Sequence, residues 1–216
     1  LRLDQQRNTS KKPLALIEIG TSAGLQLLWD KYSYSYNNKA DRYGAPHSYV
    51  HITSEMKGTG MPVLYKESPP VAWRVGVDLY VSEVNNPENV KWLKALIWPE
   101  HKHRLDLFRK AVQQIQAFSV ELIEGDGVEL LFEIAKQAPH NASLCIFHTH
   151  VANQMPQEVK QQLLTSIQKV GENRDVFHLY NNIWDANLHL DYVINGKEHK
   201  HIIGQTDGHG RWFSWN

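Results

Sequence analysis

The sequence predicts an α/β fold built on an open, doubly wound, mostly parallel sheet, and three observations carry that prediction. Leu14–Ile19 is a near-continuous apolar run, as in a central parallel strand covered on both faces, and it stops at a glycine and turns through small residues into a helical pattern. Strand-like and helix-like segments then alternate five times. Beyond Tyr180 the helical period vanishes and strands at hairpin spacing replace it. In sheets of this kind ligands are expected at the C-terminal strand ends.

Each element has its own signal. After a polar lead-in that closes at Pro13 and the first strand, Leu25, Leu28 and Trp29 share one face of a helix that fades near Asp30. Residues 37–70 are polar and punctuated by glycine and proline. Within them residues 50–53 and 63–65 flank Gly58 and Gly60, a pattern expected to form a β-hairpin inserted into a single domain spanning 1–216. Residues 71–77 form the second core strand. Asn86 then Pro87 is an N-cap followed by proline at the first helical position, with Trp92, Leu93, Leu96 and Ile97 on one face and Pro99 as the stop. A second helix carries Leu105, Phe108, Val112 and Ile115. Residues 118–123 form a third strand, 127–138 a helix, 143–147 a fourth strand, and Pro156 opens a helix that closes at Gly171. A fifth strand runs over 175–180, a hairpin turns at Asn195-Gly196, and 211–215 adds a short strand to the antiparallel C-terminal set.

Composition sets limits. The 216 residues are 42% hydrophobic and 21% charged, ordinary values for a globular chain with a sizeable core. Lys plus Arg and Asp plus Glu are 23 each, so no bulk field draws the chain to nucleic acid or membrane. Cys145 is alone, which excludes an internal disulfide and, with no signal peptide or spanning segment, points to the cytoplasm. The three His-x-His pairs at 101, 148 and 199 lack the convergent spacing of a zinc site, so no metal is expected. The seven tryptophans fall mostly at core-patterned positions and read as packing.

Four strand ends carry chemistry. Glu18 lies inside an apolar strand, a costly place for a carboxylate without a partner. Gly20, Ser22 and Gly24 permit a tight turn, and Ser22 suits a helix N-cap. Asp78 ends the second strand, where nucleoside-binding sheets place a ribose-binding acid, though 58 positions after Gly20 instead of the usual ~20. Asp126 with Glu129 matches a capping box, so its carboxylate either caps the next helix or meets a ligand. His148 follows the fourth strand, where a histidine can act as general base.

Taken together, the acidic-x-Gly loop, Asp78, Gly125-Asp126 and the His148 position resemble class I S-adenosylmethionine (SAM)-dependent methyltransferases, a Rossmann-like fold. More closely, the chain resembles an uncharacterised bacterial family, a domain of unknown function with a methyltransferase-like fold. The matching stretches are Leu16 to Leu25, Leu28 to Tyr32, Ala72 to Leu79, Trp92 to His101, Phe147 to Thr149 and Gly210 to Trp212. The resemblance implies SAM as cofactor. Glu18 would meet its amino group, the loop of Gly20, Thr21, Ser22 and Gly24 its methionine and ribose portion, Asp78 with Leu79 the ribose, and Gly125 with Asp126 the adenine. His148 would then be the catalytic residue beside an unidentified methyl acceptor. It also implies a helical segment before the first strand that is lacking here. Ser22 replaces the second glycine of the methyltransferase loop, and the helix expected after the fifth strand is missing.

Two other readings stand beside it. Gly20-Thr-Ser22-Ala-Gly24 is a literal G-x-S-x-G, which would make Ser22 the nucleophile of an α/β-hydrolase with Asp126 and His148 downstream in the required order. That reading lacks an upstream oxyanion loop and leaves Glu18 and Asp78 without roles. A module that binds SAM without chemistry is the third.

Overall fold

The computed structural model describes residues 12–37 and 40–216; the polar lead-in, up to residue 11, lies outside the described residues. In chain order the strands are β1 (Leu14–Ile19), β2 (Ser33–Tyr36), β3 (Tyr43–Gly44), β4 (His51–Lys57) and β5 (Val71–Asp78). The helices α1 (Pro87–Ala95) and α2 (Lys102–Gln116) follow, then β6 (Glu121–Glu124), α3 (Gly127–Gln137), β7 (Ser143–His148), α4 (Gln157–Gly171) and β8 (Val176–Tyr180). The chain closes with β9 (Asn187–Ile194), β10 (Lys197–His199), β11 (Ile202–Gln205) and β12 (Trp212–Ser214).

An eight-stranded sheet runs β10-β9-β8-β7-β1-β5-β6, with β11 also paired to β9. β6, β5, β1, β7 and β8 are mutually parallel, whereas β9 runs antiparallel to β8, β10 and β11. The fold is thus mixed α/β, with a largely parallel centre and an antiparallel C-terminal side. From β1 the chain builds outward through β5 and β6, then returns to lay β7 against the other edge of β1. In sheets of this kind a ligand crevice is expected at such a reversal, which here falls at the C-terminal ends of β1 and β7.

All six β1 residues are buried because both faces are covered. Ala15, Ile17 and Ile19 pack into the main core with Leu131 and Ile134 of α3 and Leu163 and Ile167 of α4. Leu14 and Leu16 face the other way, onto Leu27 and Phe147. Asn86 caps α1 by accepting from the Glu88 amide at 3.0 Å, and Asn195-Gly196 turns the β9–β10 hairpin with both residues at positive φ. Arg174 holds the end of α3 to the start of β7, donating to the carbonyls of Ala138, Pro139 and Ala142 at 2.8–3.0 Å. Cys145 is partly buried in the second face of the sheet, where desolvation pushes its thiol up to about 12. No described helix is long and apolar enough to cross a membrane.

Several expectations need correction. The inserted hairpin does not form: residues 63–65 are not a strand, and β4 instead pairs in parallel with β2 and with β12 in a separate sheet ordered β12-β4-β2-β3. The C-terminal segment takes the place of the second hairpin arm, with the Trp215 carbonyl lying against Gly60. β12 therefore extends this small sheet, and it meets the antiparallel set only through an isolated antiparallel bridge between Thr206 and Phe213. The segment after β1 is a kinked 3-10 helix, Leu25–Lys31, because tyrosine hydroxyls draw off its carbonyls: Tyr32 donates to Leu25 and Tyr34 to Trp29, both at 2.6 Å. Asp30 is anchored there by Arg74 at 2.8 Å. The third strand starts at Glu121, three residues late. Trp92, Trp98 and Trp184 are exposed, so packing does not explain them.

Candidate functional site

The loop after β1 takes left-handed backbone at alternate residues, φ 74° at Gly20, 53° at Ser22 and 71° at Gly24. Its amides are consumed by the neighbouring strand. Gly20 and Thr21 donate to the Val77 carbonyl at 2.8 and 3.2 Å, and Gly24 donates to Thr21 at 2.9 Å. The Ser22 amide donates to Asp78 Oδ2 at 2.7 Å, and the Ser22 carbonyl accepts from the Ser82 amide at 3.1 Å. Asp78 Oδ1 accepts from the Tyr80 amide at 3.1 Å. One strand further, the Gly125 amide donates to the Asp78 carbonyl at 2.8 Å, and Glu124 accepts from the Val81 amide at 3.2 Å. The loops following β1, β5 and β6 are therefore stitched into one rim.

Asp78 spends one acceptor position of each oxygen on this stitching and keeps the others. Leu79 beside it is 75% exposed, an apolar face next to an acid. Asp126 does cap α3, accepting from Val128 and Glu129 amides at 2.8 and 3.3 Å. Both bonds fall on Oδ1, which leaves Oδ2 available for a second acceptor role.

Glu18 lies beneath the rim, 2% exposed. Its partner is Thr21, whose hydroxyl donates to Oε2 at 2.7 Å. Burial is the main force on this acid, and with the Asp78 charge nearby it pushes the pKa up to about 8 against the lowering effect of the Thr21 bond. Glu18 is therefore chiefly protonated at neutral pH. Gly76 makes the arrangement possible, because a Cβ at that position would collide with the Thr21 side chain.

The β7 side of the crevice is arranged differently. His148 shares the α4 face with Leu144 and Ile146 and is fully buried. Its Nε2 lies 3.1 Å from His178 Nε2, and its Nδ1 has no hydrogen-bond partner among the described residues. Desolvation pushes His148 down to about 4 and His178 lower than its ordinary value, so both rings are neutral. The rings of His178, Tyr180 and His189 stack in series, and Tyr180 donates to Asp191 at 2.8 Å. Full burial directs His148 into this network and away from the crevice.

Thr149 and His150, which follow His148 in the same motif, stand at this strand end together with Gln26, Asn181 and Asn182, which sequence reasoning did not single out. Gln26 donates to Thr149 Oγ1 at 3.2 Å, bridging the β1 and β7 loops. His150, at φ 65°, donates its amide to Asn181 Oδ1 at 3.1 Å and has its ring 3.4 Å from Asn182. The consecutive Asn181-Asn182 just past a strand was the available signal. Val151 packs over Gly20, its Cβ 2.6 Å from where a Gly20 Cβ would stand, and narrows the crevice there. Among the described residues no group of three or more His, Cys, Asp or Glu converges as a metal site.

Fold and rim together define an α/β protein whose largely parallel sheet gathers a glycine loop and two acids at adjacent strand ends. Within that class, the chain belongs to the family described as "Uncharacterized protein conserved in bacteria (DUF2332)", whose model matches residues 3–215. No curated protein matches the chain.

Proposed function

We propose that the chain binds SAM along the β1–β5–β6 rim and is a methyltransferase. The observation supporting this reading is the hydrogen-bonded tie among Ser22, Asp78 and Gly125, which sets the glycine loop, an acid and a second Gly-Asp pair side by side at three neighbouring strand ends. The parallel order β6-β5-β1-β7-β8 with an antiparallel strand beyond also supports the reading, being compatible with a class I methyltransferase-like sheet although no helix follows β8 among the described residues.

In this reading the unused Asp78 positions accept from the ribose hydroxyls, and Leu79 covers one face of the nucleoside. Asp126 Oδ2 accepts from the adenine amine. Glu18 acts from below, through Thr21, on the amino acid portion, and the positive charge of a bound ammonium would lower its pKa and favour release of its proton to solvent. SAM supplies an electrophilic methyl group on a sulfonium. The chain's task is then to align an acceptor with it, and such positioning supplies much of the rate. Thr149 and His150 stand on the acceptor side. His148 supports that side from within the core.

The hydrolase reading draws on Ser22 alone, whose φ of 53° resembles the strained turn of a nucleophile elbow. Against it, His148 is fully buried and engaged with His178.

Ligand-dependent unfolding tests the proposal. At 100 times the dissociation constant, SAM or its demethylated product stabilises by about 2.7 kcal/mol, which for a chain this size raises Tm by roughly 5–10 °C. Asp78→Asn should reduce that shift at equal ligand. No shift at millimolar ligand overturns SAM binding, and labelling of Ser22 by a fluorophosphonate supports the hydrolase. Binding without transfer of a labelled methyl to any cell-extract fraction identifies the non-catalytic module.

A further inference from the structure

We infer that the corner joining α1 to α2 is a docking surface for an anionic lipid bilayer. α1 contains no buried residue, although it carries an apolar stripe that a helix of a globular protein normally packs inward. Trp92 and Leu96, one turn apart, are 62% and 59% exposed, and Trp98 just beyond is 71% exposed. The chain then turns tightly, with the His101 amide donating to the Trp98 carbonyl at 2.9 Å, so Trp98 opens the turn that leads to α2. Clustered exposed apolar groups of this size mark an interaction surface.

Charge says what kind. Between residues 88 and 110 there are six cations (Lys91, Lys94, Lys102, Arg104, Arg109, Lys110) against three anions (Glu88, Glu100, Asp106), in a chain whose overall charge is zero. Glu88 pairs with Lys91 and Asp106 with Lys110. No ion pair among the described residues engages Lys94, Lys102 or Arg104. A local excess of positive charge opposes face-to-face pairing with a second copy and favours an anionic partner. The apolar groups project from a helix and a turn with lysines at their flanks, the arrangement by which peripheral proteins insert Trp and Leu at a headgroup boundary. A single-stranded nucleic acid instead follows a charged groove lined by stacking rings. The lack of a spanning helix concerns crossing the bilayer and leaves this surface contact open.

The inference is independent of SAM, and its test contains none. The chain is sedimented with vesicles of phosphatidylcholine alone or with 30% phosphatidylglycerol, an arbitrary anionic fraction of about physiological scale. Expected is binding to the anionic vesicles only, weakened by salt. Trp92→Ala with Trp98→Ala should reduce it tenfold or more, from the apolar surface withheld, and Lys94→Glu about fivefold or more. Because these side chains are exposed, circular dichroism and Tm should stay at the parent values. Equal binding to both vesicle types, no binding to either, or an unchanged isotherm in the folded variants overturns the inference. So does tight binding of an oligonucleotide that the same substitutions abolish.

Discussion

Glu18→Gln isolates the energetic effect of the buried acid under the rim. The folded pKa is about 8 and the ordinary value 4.5, so the folded state retains a proton that the unfolded chain releases across that interval. Because the folded pKa is raised, the contribution to stability is fully present below 4.5 and is lost as pH rises through about 8. At 1.36 kcal/mol per pH unit the loss is on the order of 5 kcal/mol. Glutamine keeps the shape and an acceptor for Thr21 but does not titrate. The assay is urea unfolding of parent and variant from pH 4.5 to 9, followed by tryptophan fluorescence. Other groups titrate too: His148, held down at about 4 from 6.5, contributes stability above 6.5 that is lost as pH falls through 4. These appear in both proteins and cancel in the difference. The variant should gain on the parent by several kcal/mol between pH 4.5 and 8.5, then level off. A difference that stays constant across this range would refute the argument that burial governs Glu18. A gain that begins only above pH 8 would do the same.

Other substitutions probe the supports of the site. Gly76→Ala should cost about 1–3 kcal/mol by overpacking against Thr21, and carbon NMR of Glu18 should show its pKa altered as the Thr21 bond is disturbed. Asp126→Ala should cost about 1 kcal/mol as α3 loses its cap, and Asp126→Asn only a fraction of that, both read from urea midpoints. Arg174→Met leaves the Ala138, Pro139 and Ala142 carbonyls without their shared donor, and should lower stability by about 2–3 kcal/mol without changing ligand affinity.

The parts of this protein legible in its sequence are those with local causes. β1 could be read because five of its six buried residues are apolar, α1 because Asn86-Pro87 is a cap, and the β9–β10 turn because Asn195-Gly196 suits positive φ. The Asp126 cap was visible for the same reason. What escaped depends on distant partners. β2 was written in the alternation of Tyr32, Tyr34 and Tyr36 with serines, yet its pairing with β4 has no local signal. The inserted hairpin failed because β12 claims the edge of β4 from the other end of the chain. At the site, the residue types at the strand ends pointed to the rim, and their mutual bonds could not be foreseen. Side-chain direction was least legible: His148 stands at the expected strand end, but period-two alternation turns it toward α4 and into a pair with His178.

The pairing of β4 with β12 also bears on how the protein is made. Glu55 meets Trp212, 157 residues downstream. At ribosomal speeds of about 5–20 residues per second, that separation corresponds to roughly 8–30 s of synthesis. β2 can cover one edge of β4 early, but the other edge stays open until β12 emerges. During that time it offers unpaired amides and carbonyls to any neighbouring chain. Closure of the small sheet is thus a late step with high contact order, and chains cut short of Trp212 should aggregate on synthesis even though every strand of the large sheet is already present.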